Sequence, residues 1–377
     1  MTEPTLDDMI DSPPDAAPGD GSAGRGRFAL TPRRAFALLA VVLAIILVAL
    51  IVYLLWFLGR PEVLTSRAVV QGVQPVWQVY GPGEGEQPLF DRPMGVAVGP
   101  GNRIYVTDGQ NNRVCAFDSQ GRFLFEFGGF GIAKPAPGAK STYEPGLLNY
   151  PVGIDTDSEG NVYVASFRND TIEVFDSEGA ALRQFPDPQV PTGKGSSGYM
   201  GGGIAVTDVA VNGDRIYATD AYQVFVFTLE GELLDQWGKP GIEPGDLDHP
   251  NGIAVSRDGK VVYVSDSNHN RVTAFAPDGA VLWQVGEISG GIEDKAAREI
   301  ELPRGLSVLS DGSVLVADAF AFTLVRISAQ GEIIGRYGER GVDPGQFNFS
   351  NDVESFRGFV AVADKENGRL QVIRLVD

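Results

Sequence analysis

A strand ending in aspartate returns about every fifty residues, and this repeat constrains the chain more than any other feature. IYVTD ends at Asp108, YATD at Asp220, VVYVSD at Asp266, VLVAD at Asp318 and VAVAD at Asp364, while VYVAS ends at Ser166 in one deviant copy. The intervals between the six positions are 58, 54, 46, 52 and 46 residues. A period of roughly 40 to 50 residues, stretched by insertions, marks a unit that cannot bury both its faces alone and must stack on copies of itself. The fourth copy is the most regular. It reads as four strands at 252–255, 261–265, 271–275 and 281–285, with Asp258-Gly259 and Asp278-Gly279 as turns between them. Four strands joined by tight turns make one antiparallel blade, so six copies predict an all-β, six-bladed β-propeller.

The two ends of the array are complementary. VWQVYG at 76–81 is like the outermost strands LWQVG, QWG (236–238) and RYG (336–338), yet no inner strands precede it. The sixth copy supplies an inner strand near Val353, a second at 359–363 and a third at 369–375, and the sequence ends at Asp377 with no outer strand. Residues 76–80 are therefore predicted to complete the last blade, closing the ring and removing the strand edges a gap would expose.

The phrases RPMGVAVGPGNRIYVTDGQNNRVCAFDSQGRFLFEFG (92–128) and HPNGIAVSRDGKVVYVSDSNHNRVTAF (249–275) resemble the NHL-repeat six-bladed propellers, from about Val76 to the C-terminus. The resemblance implies the fold and not the task, because such propellers serve many functions.

Ahead of the propeller lies AFALLAVVLAIILVALIVYLLWFL, 24 uncharged residues from Ala35 to Leu58. That is long enough to cross a hydrocarbon core of about 30 Å as one α-helix. It exceeds a signal-peptide core and no small-x-small cleavage site follows, so it reads as an uncleaved anchor. Arg25, Arg27, Arg33 and Arg34 precede it, against Arg60 and Arg67 after it. The positive-inside rule puts the N-terminus in the cytoplasm and the propeller outside, and Tyr53, Trp56 and Phe57 suit an outer interfacial belt. Residues 1–34 form a tail whose Pro, Asp, Gly and Ala content predicts disorder over about the first thirty, residues 59–74 a tether, and residues 75–377 the propeller. The expected location is the cell membrane, single-pass, with a monomeric propeller.

Composition excludes some partners. The chain of 377 residues carries a formal charge of −19, and residues 35–377 alone carry −17. A surface this acidic repels phosphate backbones, so no nucleic acid is expected. Cys115 is the single cysteine, so no disulfide forms within the chain, and it reads as a buried thiol because Thr273 holds its place in the fourth copy. The expected partner is instead an extracytoplasmic or membrane protein.

Turns between first and second strands and between third and fourth are short throughout, while long insertions at 129–150, 186–203 and 287–303 fall on the opposite face. Variable loops on a rigid frame are where binding residues concentrate. That face and the channel mouth are the candidate surface, with Tyr143 and Tyr199 as loop residues for a partner. The repeated aspartates recur in almost every blade, which points to carboxylates bracing their own turns. Arg113 and Arg271 are expected to brace the same turns, and His249 and His269 to be solvated loop residues. Two histidines are too few for the three-histidine zinc site of the propeller lyases that process amidated peptides.

PNGIAVSRDGKVVYVSDS (250–267) also resembles the SMP-30 and gluconolactonase-like propellers, which implies a divalent-metal ligand at Asn251. The resemblance breaks at the next blade, where Arg304 stands in LPRGLSV in place of the family's aspartate, and the family's early glutamate is not recovered. A guanidinium repels a cation. With Asn251 and Asn351 it suits an anionic or polar ligand, or else it pairs with a nearby carboxylate. The inner strands also carry Asp155, Asp208, Asp352 and Glu354, which must line the channel. The expectation is a membrane-anchored binding or sensor module needing no cofactor. The alternative is a lactonase-type hydrolase with a divalent cation such as Ca²⁺ held at Asn251 with Asp155 or Glu354.

Overall fold

The computed structural model describes residues 32–58, 62–63, 71–83, 89–132, 144–187, 205–286 and 299–376. Tyr143, Tyr199 and the first 31 residues lie outside the described residues. An α-helix spans Pro32–Leu58, three residues longer at its start than the apolar run alone predicts. Within it, Ala37–Leu54 is long and apolar enough to cross a membrane, and none of that stretch is buried in protein. The rest of the described chain is a six-bladed propeller, a compact unit by itself.

Each blade is an antiparallel sheet of four strands running outward from the axis. In the fourth blade these are Pro250–Val255, Val262–Asp266, Arg271–Phe275 and Val281–Gly286. The inner strands of the ring are Pro93–Val98, Pro151–Thr156, Asp208–Asn212, Pro250–Val255, Pro303–Val308 and Ser350–Phe356, each packed beside the next and the last beside the first. The second and third strands of each blade are almost wholly buried, because both sheet faces meet a neighbouring blade. Six apolar clusters fill these interfaces, among them the one around Phe117, Trp77 and Leu370 that joins the last blade to the first.

The predicted closure is present and somewhat longer. Val73–Val79 pairs with Arg369–Leu375 as the outer strand of the sixth blade, and a fifth strand, Glu62–Val63, adds outside it within the expected tether. The local reason repeats around the ring. The glycine in the turn before each outer strand lies under the outer-strand aromatic of the preceding blade. Trp77 sits over Gly121, Phe127 over Gly179, Phe185 over Gly231, Trp237 over Gly279 and Trp283 over Gly331. The N-terminal strand supplies the sixth pair, Tyr337 over Gly72, where a Cβ would come within 2.9 Å of the ring. Gly72 also holds φ at 74°, which favours glycine.

Deleting residues 71–79 should abolish the single cooperative unfolding transition of the propeller, and Gly72→Val should lower stability by about 2–4 kcal/mol through strain and the clash with Tyr337. Urea denaturation followed by tryptophan fluorescence reads both; an unchanged midpoint in the deletion variant contradicts closure by this strand.

Candidate functional site

The repeated aspartates prove to be loop anchors. Asp108 accepts from the backbone N–H of Asp91 at 2.8 Å, the Asn111 amide at 2.8 Å and Arg113 Nε at 2.9 Å. Asp364 does the same with Asn348 N–H, Asn367 and Arg369, and both members of the Asp364–Arg369 pair are fully buried. Asp220 accepts from the N–H groups of Tyr222 and Gln223, and Asp318 from those of Glu301 and Leu302. In the deviant copy Ser166 Oγ accepts from Asn149 N–H at 3.0 Å, so a hydroxyl replaces the carboxylate in the same task. Asp266 takes Asp248 N–H, Arg271 Nε and His269 Nδ1. His269 is therefore buried in this network and not solvated, whereas His249 is exposed as expected. Cys115 is a buried free thiol, its pKa raised by desolvation.

The central channel is built from three successive positions of the inner strands. The first position aims at the mouth on the face of the blade crossings and contributes Met94, Val152, Thr207, Asn251, Arg304 and Asn351. With Tyr150, Phe167 and Lys365 these line a cavity of about 180 Å³. Arg304 does not pair with a carboxylate: its Nε and Nη2 both donate to Asn351 Oδ1, at 3.1 and 2.8 Å. Asn351 passes the link on, its amide donating to Met94 O at 2.8 Å in the first blade. Asn251 donates to His249 O and Ser267 Oγ. Lys365 lies 4.4 Å over the Phe349 ring.

At the second position four blades have glycine, and the third and sixth have Asp208 and Asp352. The preceding glycines make room for them: a Cβ on Gly153 would collide with Asp208, and one on Gly305 with Asp352. Each carboxylate bridges blades. Asp208 accepts from its neighbour Val209 N–H at 2.9 Å and from Ile253 N–H of the next blade at 2.9 Å. Asp352 accepts from Val353 and Val96 N–H, both at 2.8 Å. Asp155, at a deeper position, likewise joins Thr156 N–H to Val211 N–H at 2.7 Å. Inner strands are sheet edges, and these side chains satisfy N–H groups that would otherwise face the axis unpaired.

Below that floor a second cavity of about 230 Å³ contains Asp155, Glu354, Ser307 and Arg257 together with the other faces of Asp208 and Asp352. The metal arrangement considered from the sequence is thus not assembled: Asn251 belongs to the upper cavity, and Asp155 and Glu354 to the lower. Among the described residues no group of three or more His, Cys, Asp or Glu side chains is placed to hold a metal ion. Sequence reasoning missed Tyr150, Phe167, Met94 and Lys365. Only the place of Tyr150 and Met94 beside the inner-strand Pro151 and Pro93 could have flagged them.

Burial and mutual repulsion govern the charges. Desolvation pushes Asp155 up to about 6 and Glu354 up to about 8, the latter helped by the Asp155 and Asp208 charges. Desolvation raises Asp208 and Asp352 well above the usual carboxylate range, helped at Asp208 by the Asp352 and Asp155 charges and at Asp352 by the Glu354 and Asp155 charges. Desolvation lowers Arg304 to about 10, against the pull of Tyr150, Asp208 and Asp352, and it remains a cation at neutral pH.

A six-bladed propeller with a polar channel and an N-terminal apolar helix is the class these features define. Residues 90–117 match the NHL repeat, and residues 241–339 match the family described as the SMP-30/Gluconolactonase/LRE-like region. Peptidyl-glycine alpha-amidating monooxygenase A of Xenopus laevis is 30% identical over 220 residues, 56% of this chain and 22% of that protein. Protein brain tumor of Drosophila melanogaster is 26% identical over 129 residues, covering 26% of this chain and 12% of its own. The chain thus spans less than a quarter of the length of either relative. Among solved structures, a gluconolactonase of Xanthomonas campestris superposes with a TM-score of 0.55 at 18% identity, covering 84% of this chain and 94% of that one. A Bacteroides thetaiotaomicron protein of unknown function gives 0.56 at 17%, covering 78% and 72%. These likenesses establish the fold.

Because the folded state holds the Glu354 and Asp155 protons more tightly than the unfolded chain, their contribution is complete below the ordinary carboxylate pKa and is lost as pH rises through the folded values. Stability should fall from about pH 4 to 8, with Asp155 and Glu354 both contributing up to about 6 and Glu354, beside the raised Asp208 and Asp352, carrying the part above it. Glu354→Gln should flatten the decline between pH 6 and 8 in urea midpoints; parallel declines in both proteins would contradict the assignment.

Proposed function

We propose that this protein is a membrane-tethered, extracytoplasmic propeller that acts as a binding or sensor module through the channel mouth on the face of the long crossings. One observation carries the reading: three neighbouring inner strands converge Asn251, Arg304 and Asn351 on one mouth, where Lys365 joins them from a turn, and Arg304 spends only one edge of its guanidinium on the protein. A half-used cation on a rigid frame, lining one cavity with Met94 and Tyr150, is equipped to recognise a ligand, and among the described residues of the mouth no nucleophile–base pair stands beside it. The apolar helix and the arginine excess before it support the tether and its direction. The match over 241–339 supports a second reading, a lactone hydrolase. Against it, Arg304 stands in the next blade at the strand position of Asn251, where its charge opposes a cation, and Asp155 and Glu354 line the lower cavity while Asn251 lines the upper.

Two experiments test the proposal. Asp214 is exposed and Cys115 is buried, so an impermeant maleimide should label Asp214→Cys but not the native protein in intact cells; labelling only after permeabilisation rejects the topology. A panel of small acids, sugars, lactones and short peptides should include compounds that raise the melting temperature of the purified full chain. Thr207→Trp, which fills the mouth, should abolish those shifts while leaving the unliganded transition in place. Shifts that survive in Thr207→Trp place binding elsewhere, and lactone turnover with a stoichiometric divalent ion favours the hydrolase.

A further inference from the structure

The mouth is divided by chemistry as well as by blade. Met94, Tyr150, Val152 and Phe167, from the first two blades, make one wall apolar, while Asn251, Arg304 and Lys365, from the fourth to sixth, make the other polar and cationic. A ligand complementary to such a cavity has a charged end and an apolar end.

The charged end is defined by Arg304. A guanidinium presents two donor pairs, one along Nε and Nη2 and one along Nη1 and Nη2. Asn351 Oδ1 occupies the first pair and, being held by its own bond to Met94 O, fixes the guanidinium plane. Nη1 has no hydrogen-bond partner among the described residues, so the second pair remains open and its geometry matches the two oxygens of a carboxylate. Lys365 adds a second cation at the rim, shared with Glu366 at 3.6 Å. Asn251 spends its amide N–H groups on His249 and Ser267, leaving its side-chain oxygen as an acceptor.

The floor limits how much negative charge can enter. Asp208 and Asp352 lie directly beneath, each already accepting two backbone N–H bonds, so the floor meets a second negative charge with carboxyl oxygens. Size limits the rest: about 180 Å³ falls below the roughly 300–1,000 Å³ of sites that hold drug-sized ligands.

We propose that the mouth binds a small amphiphilic monocarboxylate, its carboxylate on the Nη1–Nη2 edge of Arg304 and its aromatic or branched apolar body against Met94, Tyr150 and Val152. This rests on the mouth being the binding surface and names the class of ligand it takes. No bond is made or broken; the propeller reads the compound by charge, shape and size.

Phenylacetate is the probe, titrated into the purified full chain in detergent by calorimetry and by ligand-observed NMR. The expected result is saturable 1:1 binding with a Kd on the order of 1 mM or tighter, consistent with a ligand of this size. Phenylacetamide, the neutral isostere, should bind at least tenfold more weakly, as should inorganic phosphate. Arg304→Gln should weaken phenylacetate at least tenfold, and Val152→Trp should abolish its binding; an unliganded melting transition like that of the native protein certifies each variant. Equal binding of phenylacetate and phenylacetamide, phosphate binding as tight as phenylacetate, or undiminished affinity in Arg304→Gln would each overturn the proposal. If phenylacetate fails to bind while panel compounds still lose their effect in Thr207→Trp, the ligand class is wrong and the mouth remains the binding surface. If those effects also survive in Thr207→Trp, the reading of the mouth falls with it.

Discussion

Ring closure is the constraint on which everything else in this protein depends. A four-stranded blade has two apolar faces, and in a ring of six each face is buried only if every neighbour is present. The closure is made by one turn glycine lying beneath one aromatic ring, repeated at each blade boundary. Indole N–H groups reinforce it at two of them, Trp77 donating to Ser119 O and Trp283 to Ala329 O. At the seam the glycine is Gly72, and the strand it introduces comes from the opposite end of the propeller sequence, so the first and last segments of the ring are stabilised together.

The same closure creates the channel. Bringing six inner strands around one axis leaves six sheet edges facing inward, and backbone N–H groups there need acceptors. Asp155, Asp208 and Asp352 supply them by reaching from one blade to the next, with Ser307 Oγ serving Ser355 N–H in the same way. The cost is carboxyl groups buried away from water and gathered in a narrow space, and desolvation first, then mutual repulsion, raises their pKa values. Polar groups that look functional in this channel are therefore partly structural. Arg304 differs from them because only half of its donors are needed by the fold.

Much of this was legible in the chain. The period of the aspartate-terminated strands showed six blades, and the unmatched VWQVYG segment showed how the ring closes, because strand alternation and turn glycines are local properties. Their recurrence also marked Asp108 and its counterparts as turn braces, as the hydrogen bonds bear out. Arg304, Asn251 and Asn351 could be placed at one mouth because they occupy one register position of successive inner strands. His269 was misjudged: a polar tripeptide of Asn268, His269 and Asn270 looks solvated, yet the tight turn folds the imidazole back onto Asp266. Lys365, Tyr150 and Phe167 were missed because they reach the mouth from turns and crossings that share no register with the inner strands.

By itself, then, the sequence determined the blade count, the seam, the apolar helix and the angular order of residues around the axis, since each follows from short-range pattern and strand register. Depth along the axis was decided by the tertiary structure alone. The glycines at Gly153 and Gly305 leave the room in which Asp208 and Asp352 form the floor, and packing between blades turned Arg304 toward Asn351. Asn251 faces the upper cavity while Asp155 and Glu354 face the lower because pleat and inter-blade contact, not sequence spacing, decide where a side chain points.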